Sequence, residues 1–309
     1  VTKKQKQQYR IRNWRDYNKA LVRRGSLTIW IDAHAIETWL NHEGCVRRGR
    51  PRTYADVAII CSLLLREVYH LPLRATTGLV SSLIGLLKVD LPVPDYSTLS
   101  RRARSLHVKL SSEARPEPLH LVIDSTGLKL YGEGEWRVRV HGSAKRRTWR
   151  KLHISMDGET QQITSALVTN RDVVDPRVLP CLLEEVEGEI KRVTADGAYD
   201  SRECYKAIHR RGAQAIIPPR KGSTLWADDY LQQRNRNLPG VRQLGTKGWK
   251  KKSGYHRRSL VETAMFRLKA LFTDKLRSRE VERQRTEARI RCAAMNRMTQ
   301  LGMPESYAV

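Results

Sequence analysis

Leu119-His120-Leu121-Val122-Ile123-Asp124 is a short apolar run that closes on a carboxylate, and the segments after it decide the fold. Leu152–Met156 and Ile163–Val168 are alternating or rich in β-branched residues, and the turn pair Asp157-Gly158 lies between them. That is the pattern of a hairpin. Arg192–Ala195 predicts a strand ending at Asp196, and Ala213–Ile217 another, stopped by Pro218-Pro219. Leu179–Val186 and Arg202–Arg210 carry helical spacing around these strands. Asp200 and Glu203 fit a capping box for the second helix, which gives Asp200 a structural role.

The resulting series is strand, hairpin partner, third strand, helix, strand, helix, strand, helix. That order predicts an α/β, ribonuclease H-like mixed sheet with helices on both faces. Other α/β folds share the same string, since element order underdetermines topology. A polar stretch follows to about residue 254, then a helix from about 257 to 270 and further helix beyond.

Upstream, residues 1–50 are polar and basic with scattered Trp14, Trp30 and Trp39, and Ile29, Ile31 and Ile36 mark a short packed element. After Pro51, Thr53 is placed to cap a helix whose Val57, Ile60, Leu63, Leu64 and Val68 recur at helical spacing. Pro72 permits a new start, with Leu79, Leu83, Leu86 and Leu87 in a second helix. Ser97 offers an N-cap to a third, which carries Arg101, Arg102 and Arg104. This layout predicts a helix-turn-helix-like DNA-binding region, although a helical cap with solvated arginines fits the same residues. Arg48-Gly49-Arg50-Pro51 is a small tract suited to a narrow minor groove, and equally to a linker. The expected division is a basic extension (1–50), a helical DNA-binding region (51–112), a catalytic core (113–280, with a small basic insertion at 221–252) and a C-terminal helical segment (281–309).

The 309 residues include 58 Lys+Arg against 32 Asp+Glu, a formal charge of +26. Self-repulsion on that scale is relieved most readily by a polyanion, so nucleic acid is the expected partner. Five widely spaced cysteines (Cys45, Cys61, Cys181, Cys204, Cys292) form no C-x2-C pair, which disfavours a zinc ribbon or a disulfide framework and fits a reducing cytoplasm. No apolar run is long enough to span a bilayer, so no membrane partner is expected.

Transfer of a phosphodiester needs an activated oxygen nucleophile and a stabilised leaving oxygen, which two divalent ions roughly 3.5–4 Å apart can serve. Carboxylates at the ends of adjacent strands suit such ions, and magnesium, preferring oxygen, needs no Cys or His cluster. Asp124 and Asp196 occupy such strand ends, where a single Asp also serves as a turn residue or helix cap, and Gly197 permits a close backbone approach or a tight exit there. The third acid, Glu262, lies on the helix after residue 256. At 3.6 residues per turn Arg258, Glu262 and Lys269 fall within roughly 40° of one another, a stripe able to hold a metal ligand between two phosphate clamps. A surface i,i+4 ion pair accounts for Arg258 and Glu262 equally well. Trp249 with Lys250 and Lys251 suits stacking on an unpaired base, and a core tryptophan fits as well.

Tyr255, Arg258, Glu262 and Lys269 reproduce Y-x2-R-x3-E-x6-K, which resembles the signature of bacterial insertion-sequence DDE transposases. Val122–Lys129 with Tyr131–Trp136, and Ala195–Asp200, are similar to the two aspartate regions of the family named after insertion sequence five, and the basic link Lys145–Lys151, with Arg146 and Arg147, is similar too. The resemblance runs from about residue 10 to the C-terminus. It implies a transposase with a ribonuclease H-like core. Asp124, Asp196 and Glu262 would bind two Mg²⁺ ions, with Mn²⁺ substituting. Tyr255 would contact a base or phosphate, and Arg258 and Lys269 would clamp phosphates. The partners it implies are double-stranded DNA, as terminal inverted repeats and target, and a second subunit in a synaptic dimer in a bacterial cytoplasm. A different nuclease on the same fold and a non-catalytic DNA-binding descendant are the alternatives.

Overall fold

The computed structural model describes residues 9–41, 52–110, 117–130 and 149–309. Along the chain, the short strand β1 (Tyr9–Ile11) precedes helices α1 (Trp14–Arg23), α2 (Ala33–Glu37), α3 (Asp56–Val68), α4 (Leu73–Leu86) and α5 (Tyr96–Arg102). Strands β2 (Leu119–Leu130), β3 (Trp149–Asp157) and β4 (Ile163–Asn170) follow, then α6 (Leu179–Glu184), β5 (Ile190–Thr194), α7 (Arg202–Arg210) and β6 (Gln214–Ile216). The chain closes with α8 (Gln232–Ser253), α9 (Ser259–Phe272), β7 (Lys275–Leu276), α10 (Val281–Gln300) and β8 (Ser306–Ala308), which pairs antiparallel with β1.

Among the described residues, six strands form one mixed sheet in the order β4-β3-β2-β5-β6, with β7 added to β2. The first three run antiparallel and β5 and β6 run parallel to β2. This arrangement fits the ribonuclease H-like core expected from the element order. Strand β2 outruns its neighbour: β5 pairs with it only over Leu119–Val122, and β7 takes up the same side at Lys129–Leu130. Asp124 therefore sits within a strand, not at its end as the apolar run implied. The polar residues Ser125–Lys129 stay extended because β3 pairs with every one of them.

Alternation along β2 sends Leu121 and Ile123 to one face and Val122 and Leu128 to the other, so the sheet separates two cores. On the first face Leu179, Leu182, Tyr205 and Ile208 of α6 and α7 pack with Leu121. On the second face α3, α4, α5, α9 and α10 share a single cluster with the sheet. The expected boundary at 112/113 thus separates no two cores. Trp30 and Trp39 are fully buried in the same cluster, and Trp39 donates its ring N–H to the Pro92 carbonyl at 2.9 Å. Residues 14–40 accordingly belong to the folded body and are no loose extension. Inside this core Glu67 of α3 accepts from Arg291 of α10 at 2.8 Å and from Arg277 at 2.8 Å, and Glu287 completes the network.

Several caps differ from expectation. Helix α3 starts at Asp56, three residues after Thr53, whose carbonyl instead accepts from Asn41. Asp95, not Ser97, caps α5, accepting from the Ser97 N–H at 2.8 Å. Ser201, not Asp200, caps α7. The stretch expected to be an insertion is largely α8, two helical pieces meeting at Gly245, whose φ of 65° interrupts the run. No described helix is long and apolar enough to cross a membrane.

Candidate active site

Three elements bring carboxylates to the side of β2 left open between β5 and β7. Asp124 projects from β2 and is mostly buried, with 13% of its side chain exposed. Its Oδ1 accepts from the Ser125 N–H at 2.8 Å. Asp196 lies two residues past the end of β5 and caps a short 3₁₀ turn, Gly197–Tyr199, by accepting from the Ala198 N–H at 2.8 Å. Gly197 suits this close approach, because a Cβ would stand 3.3 Å from the Pro218 carbonyl oxygen, tight enough that the backbone there would have to give by a few tenths of an ångström. Glu262 lies in the first turn of α9 and is 56% exposed.

One guanidinium joins all three. Arg258 ends the 3₁₀ turn Tyr255–Arg258 ahead of α9, and the left-handed Gly254 (φ 72°) turns the chain out of α8 to set it there. Its Nη2 donates to Asp124 Oδ2 at 2.8 Å and lies 3.7 Å from Asp196 Oδ2, while Nη1 donates to Glu262 Oε1. The i,i+4 pair with Glu262 is thus real, but it is one arm of a contact spanning three elements. Burial raises the pKa of Asp124, and the repulsion of Asp196 and Glu262 adds to this against the pull of the Ser125 N–H and Arg258. Burial opposes charge on Arg258, yet Asp124, Tyr255, Glu262 and Asp196 outweigh it and hold the guanidinium protonated.

Three oxygen donors converging on one cation fit the preferences of a hard divalent ion, and the guanidinium is the stand-in charge by which that fit is judged. Among the described residues no three acids form a ready metal cage; Asp124, Asp196 and Glu262 meet through Arg258.

Beneath the sheet, on the opposite face of β2, Ser125 donates to Asp175 Oδ2 at 2.9 Å and Lys151 pairs with Asp175 Oδ1 at 2.9 Å. Buried His153 stands 3.9 Å from the same carboxylate and bonds Thr169 at 2.8 Å. Burial pushes the Tyr199 hydroxyl far up, with Asp175, Asp124 and Asp196 adding to it. The Asp175 support was missed in the sequence, where its one signal was a carboxylate just before Pro176.

The remaining expected residues separate into groups. Tyr255 is buried against Trp249, ring centroids 6.1 Å apart, with the Lys250 ammonium 4.8 Å from its ring. Trp249 is 5% exposed, in a small core with Ile216 and Tyr255, so its ring face is closed to a base. Lys250, Lys251 and Lys252 form the last turn of α8, and Lys251 and Lys252 are exposed. Lys269 is half-buried in the last turn of α9. Arg102 turns inward to the Tyr54 carbonyl and Asp56, whereas Arg101 and Arg104 are presented to solvent. Arg48, Arg50, Arg146, Arg147 and the Tyr131–Trp136 segment lie outside the described residues. Asp200, inside the second aspartate region, is buried against Arg234 and takes no part in the cluster.

A family model described as "Transposase DDE domain" matches residues 115–297, and a second model of the same description matches residues 22–133. Among solved structures the chain is similar to one reported as the cryo-EM structure of a piggyBac transposase synaptic complex with hairpin DNA. The identity is 11%, the match covers 95% of this chain and 76% of that one, and the TM-score is 0.36, too slight a likeness to bear on the fold.

Proposed function

Because the chain belongs to the family of transposase DDE domains and is a DNA transposase, we propose that Asp124, Asp196 and Glu262 hold its divalent cations, two Mg²⁺ ions per site, and that it cuts and joins the ends of an insertion sequence. The observation that carries this reading is the convergence of those three acids, from β2, the end of β5 and α9, on the Arg258 guanidinium. Bound divalent cations supply an activated attacking oxygen and a stabilised leaving oxygen. The chain's own residues do the rest. The Ser125 and Ala198 N–H groups fix one oxygen of Asp124 and of Asp196, leaving the other oxygen of each to face the cations. Burial behind β2 keeps Asp124 out of bulk water, which strengthens its hold on an ion.

The spacing Y-x2-R-x3-E-x6-K supports membership of the group named after insertion sequence five. In that reading Tyr255 backs the site, and Arg258 and Lys269 bind phosphates of the transposon end. Lys251 and Lys252 at the end of α8, and Arg101 on α5 with Arg104 just beyond it, extend the cationic surface along the duplex, with specificity for terminal inverted repeats. Two subunits pair two ends in the synaptic complex. The large positive charge supports a DNA partner and a salt-sensitive affinity.

Asp124→Asn or Glu262→Gln should abolish both cleavage and joining while leaving binding to the ends in place. Near wild-type cleavage by either variant overturns the assignment. An assay of pre-cut transposon ends with a plasmid target separates strand transfer from simple nicking, the outcome expected of another nuclease on this fold.

A further inference from the structure

We infer that Arg258 is a positioning residue that serves as the site's internal counter-cation, holding Asp124, Asp196 and Glu262 together until divalent ions displace it and release it toward DNA phosphate. This rests on the metal-site reading above and adds an exchange that the reading does not contain.

The contacts make a fixed role for this guanidinium difficult. Its two terminal nitrogens use the same side-chain oxygens that a divalent ion needs: Asp124 Oδ2 at 2.8 Å, Asp196 Oδ2 at 3.7 Å and Glu262 Oε1. Asp124 Oδ1 and Asp196 Oδ1 are already held by backbone N–H groups, so those oxygens cannot turn freely to serve an ion while the guanidinium keeps the others. Arginine does not deprotonate in proteins, so the site cannot shed this charge by losing a proton; the side chain has to move.

The rest of Arg258 is built to let it move. Among the described residues its Nε is buried with no hydrogen-bond partner, and it is the acids that hold the head of the side chain. Three carboxylates facing one guanidinium also leave excess negative charge, which draws in a divalent ion more strongly than a single arginine neutralises it. Once ions take the oxygens, a guanidinium a few ångströms away faces like charge and has lost its acceptors. Its bidentate fork then suits a phosphate, which carries the charge it gave up. Without Arg258 the three acids would repel one another in a partly buried site, so the same residue preorganises the ligands and competes for them.

The test measures Mn²⁺ binding to the full chain by calorimetry and electron paramagnetic resonance, without DNA or turnover. Arg258→Gln, which keeps a polar side chain and removes the charge, should bind Mn²⁺ roughly five-fold or more tightly than wild type, the size expected of a coupling between competing cations. Arg258→Lys should fall between the two. Unchanged or weaker Mn²⁺ binding by folded Arg258→Gln overturns the inference. If that variant does not melt cooperatively, unchanged or weaker binding by Arg258→Lys overturns it instead. Asp124→Asn separates the two layers: it should lose Mn²⁺ binding, and wild-type affinity there overturns the metal-site reading itself. In a second arm, Ca²⁺ should strengthen binding of a short DNA duplex more for wild type than for Arg258→Gln, and an equal gain in both overturns the release toward phosphate.

Discussion

Arg234 and Asp200 form a salt bridge at 2.8 Å in which both side chains are only 1% exposed. Arg234 also lies 3.5 Å from the Trp226 ring centroid and donates to the Thr224 carbonyl at 2.8 Å. Asp200 completes its contacts with the Arg220 N–H at 3.0 Å. The pair ties the loop after β5 to α8, which is why an aspartate only four positions from Asp196 is structural. Asp200→Ala leaves a buried guanidinium without its partner and should cost about 3–5 kcal/mol in urea unfolding. Mn²⁺ affinity of the remaining folded protein should stay near wild type, since the carboxylate is no part of the proposed cation site.

Burial holds the His153 imidazole down, at about 4, against about 6.5 in an unfolded chain. Lys151 pushes it the same way, and Asp175 opposes both. The neutral form is therefore native. Between pH 6.5 and 4 the unfolded chain takes up a proton that the folded chain refuses. The stability this residue contributes is complete above pH 6.5 and is lost as pH falls toward 4, by roughly 3 kcal/mol in all. His153→Gln, which keeps a partner for Thr169, should flatten that part of the stability–pH curve relative to wild type. A curve that keeps its full slope contradicts the assignment.

Trp249 and the lysines beside it should respond differently to mutation. Trp249→Ala empties the small core against Ile216 and Tyr255 and should cost about 3–5 kcal/mol. Lys251→Ala and Lys252→Ala should leave the melting temperature nearly unchanged. Where a lysine touches phosphate, its loss should lower the log–log salt slope of DNA binding by about one unit. Fluorescence anisotropy across a salt series reads this directly.

Glu67 accepts from Arg291, 1% exposed, and from Arg277, joining α3, α10 and the segment after β7. Glu67→Gln removes the charge that compensates these guanidiniums. It should destabilise by about 3–5 kcal/mol with the N-terminal helices and the sheet unfolding in one transition, because they share one core. Two separate transitions by circular dichroism and tryptophan fluorescence would show the helices to be an independent unit.

The order of strands was legible because apolar runs such as Leu119–Ile123 and Ile163–Val168 sit between clear turns. What followed Asp124 was not, since Ser125, Thr126 and Lys129 look like loop residues until β3 and β7 pair with them. Helix α8 was hidden for a related reason. Pro239, Gly240, Gly245 and Gly248 weaken its propensity, and among its buried residues is Arg234, whose partner lies 34 positions away. Arg258 and Glu262 were visible as an i,i+4 pair, but the bond from Arg258 to Asp124 spans 134 residues and no spacing rule reaches that far. Glycines read better: Gly197 was expected to admit a close backbone approach, and the Pro218 carbonyl supplies it.

The bond between Arg291 and Glu67 closes a separation of 224 residues, and this sets an order in time as well as in space. During synthesis α3, with its buried acid and apolar face, is made before the sheet, and the helix that completes its core is made after it. Loop closure over that distance comes late by its entropy alone. The helices that precede the sheet therefore wait as an incomplete layer while the sheet assembles behind them. Completion of the helical layer hinges on α10, so the layer stays unfinished until that helix has been made and has docked.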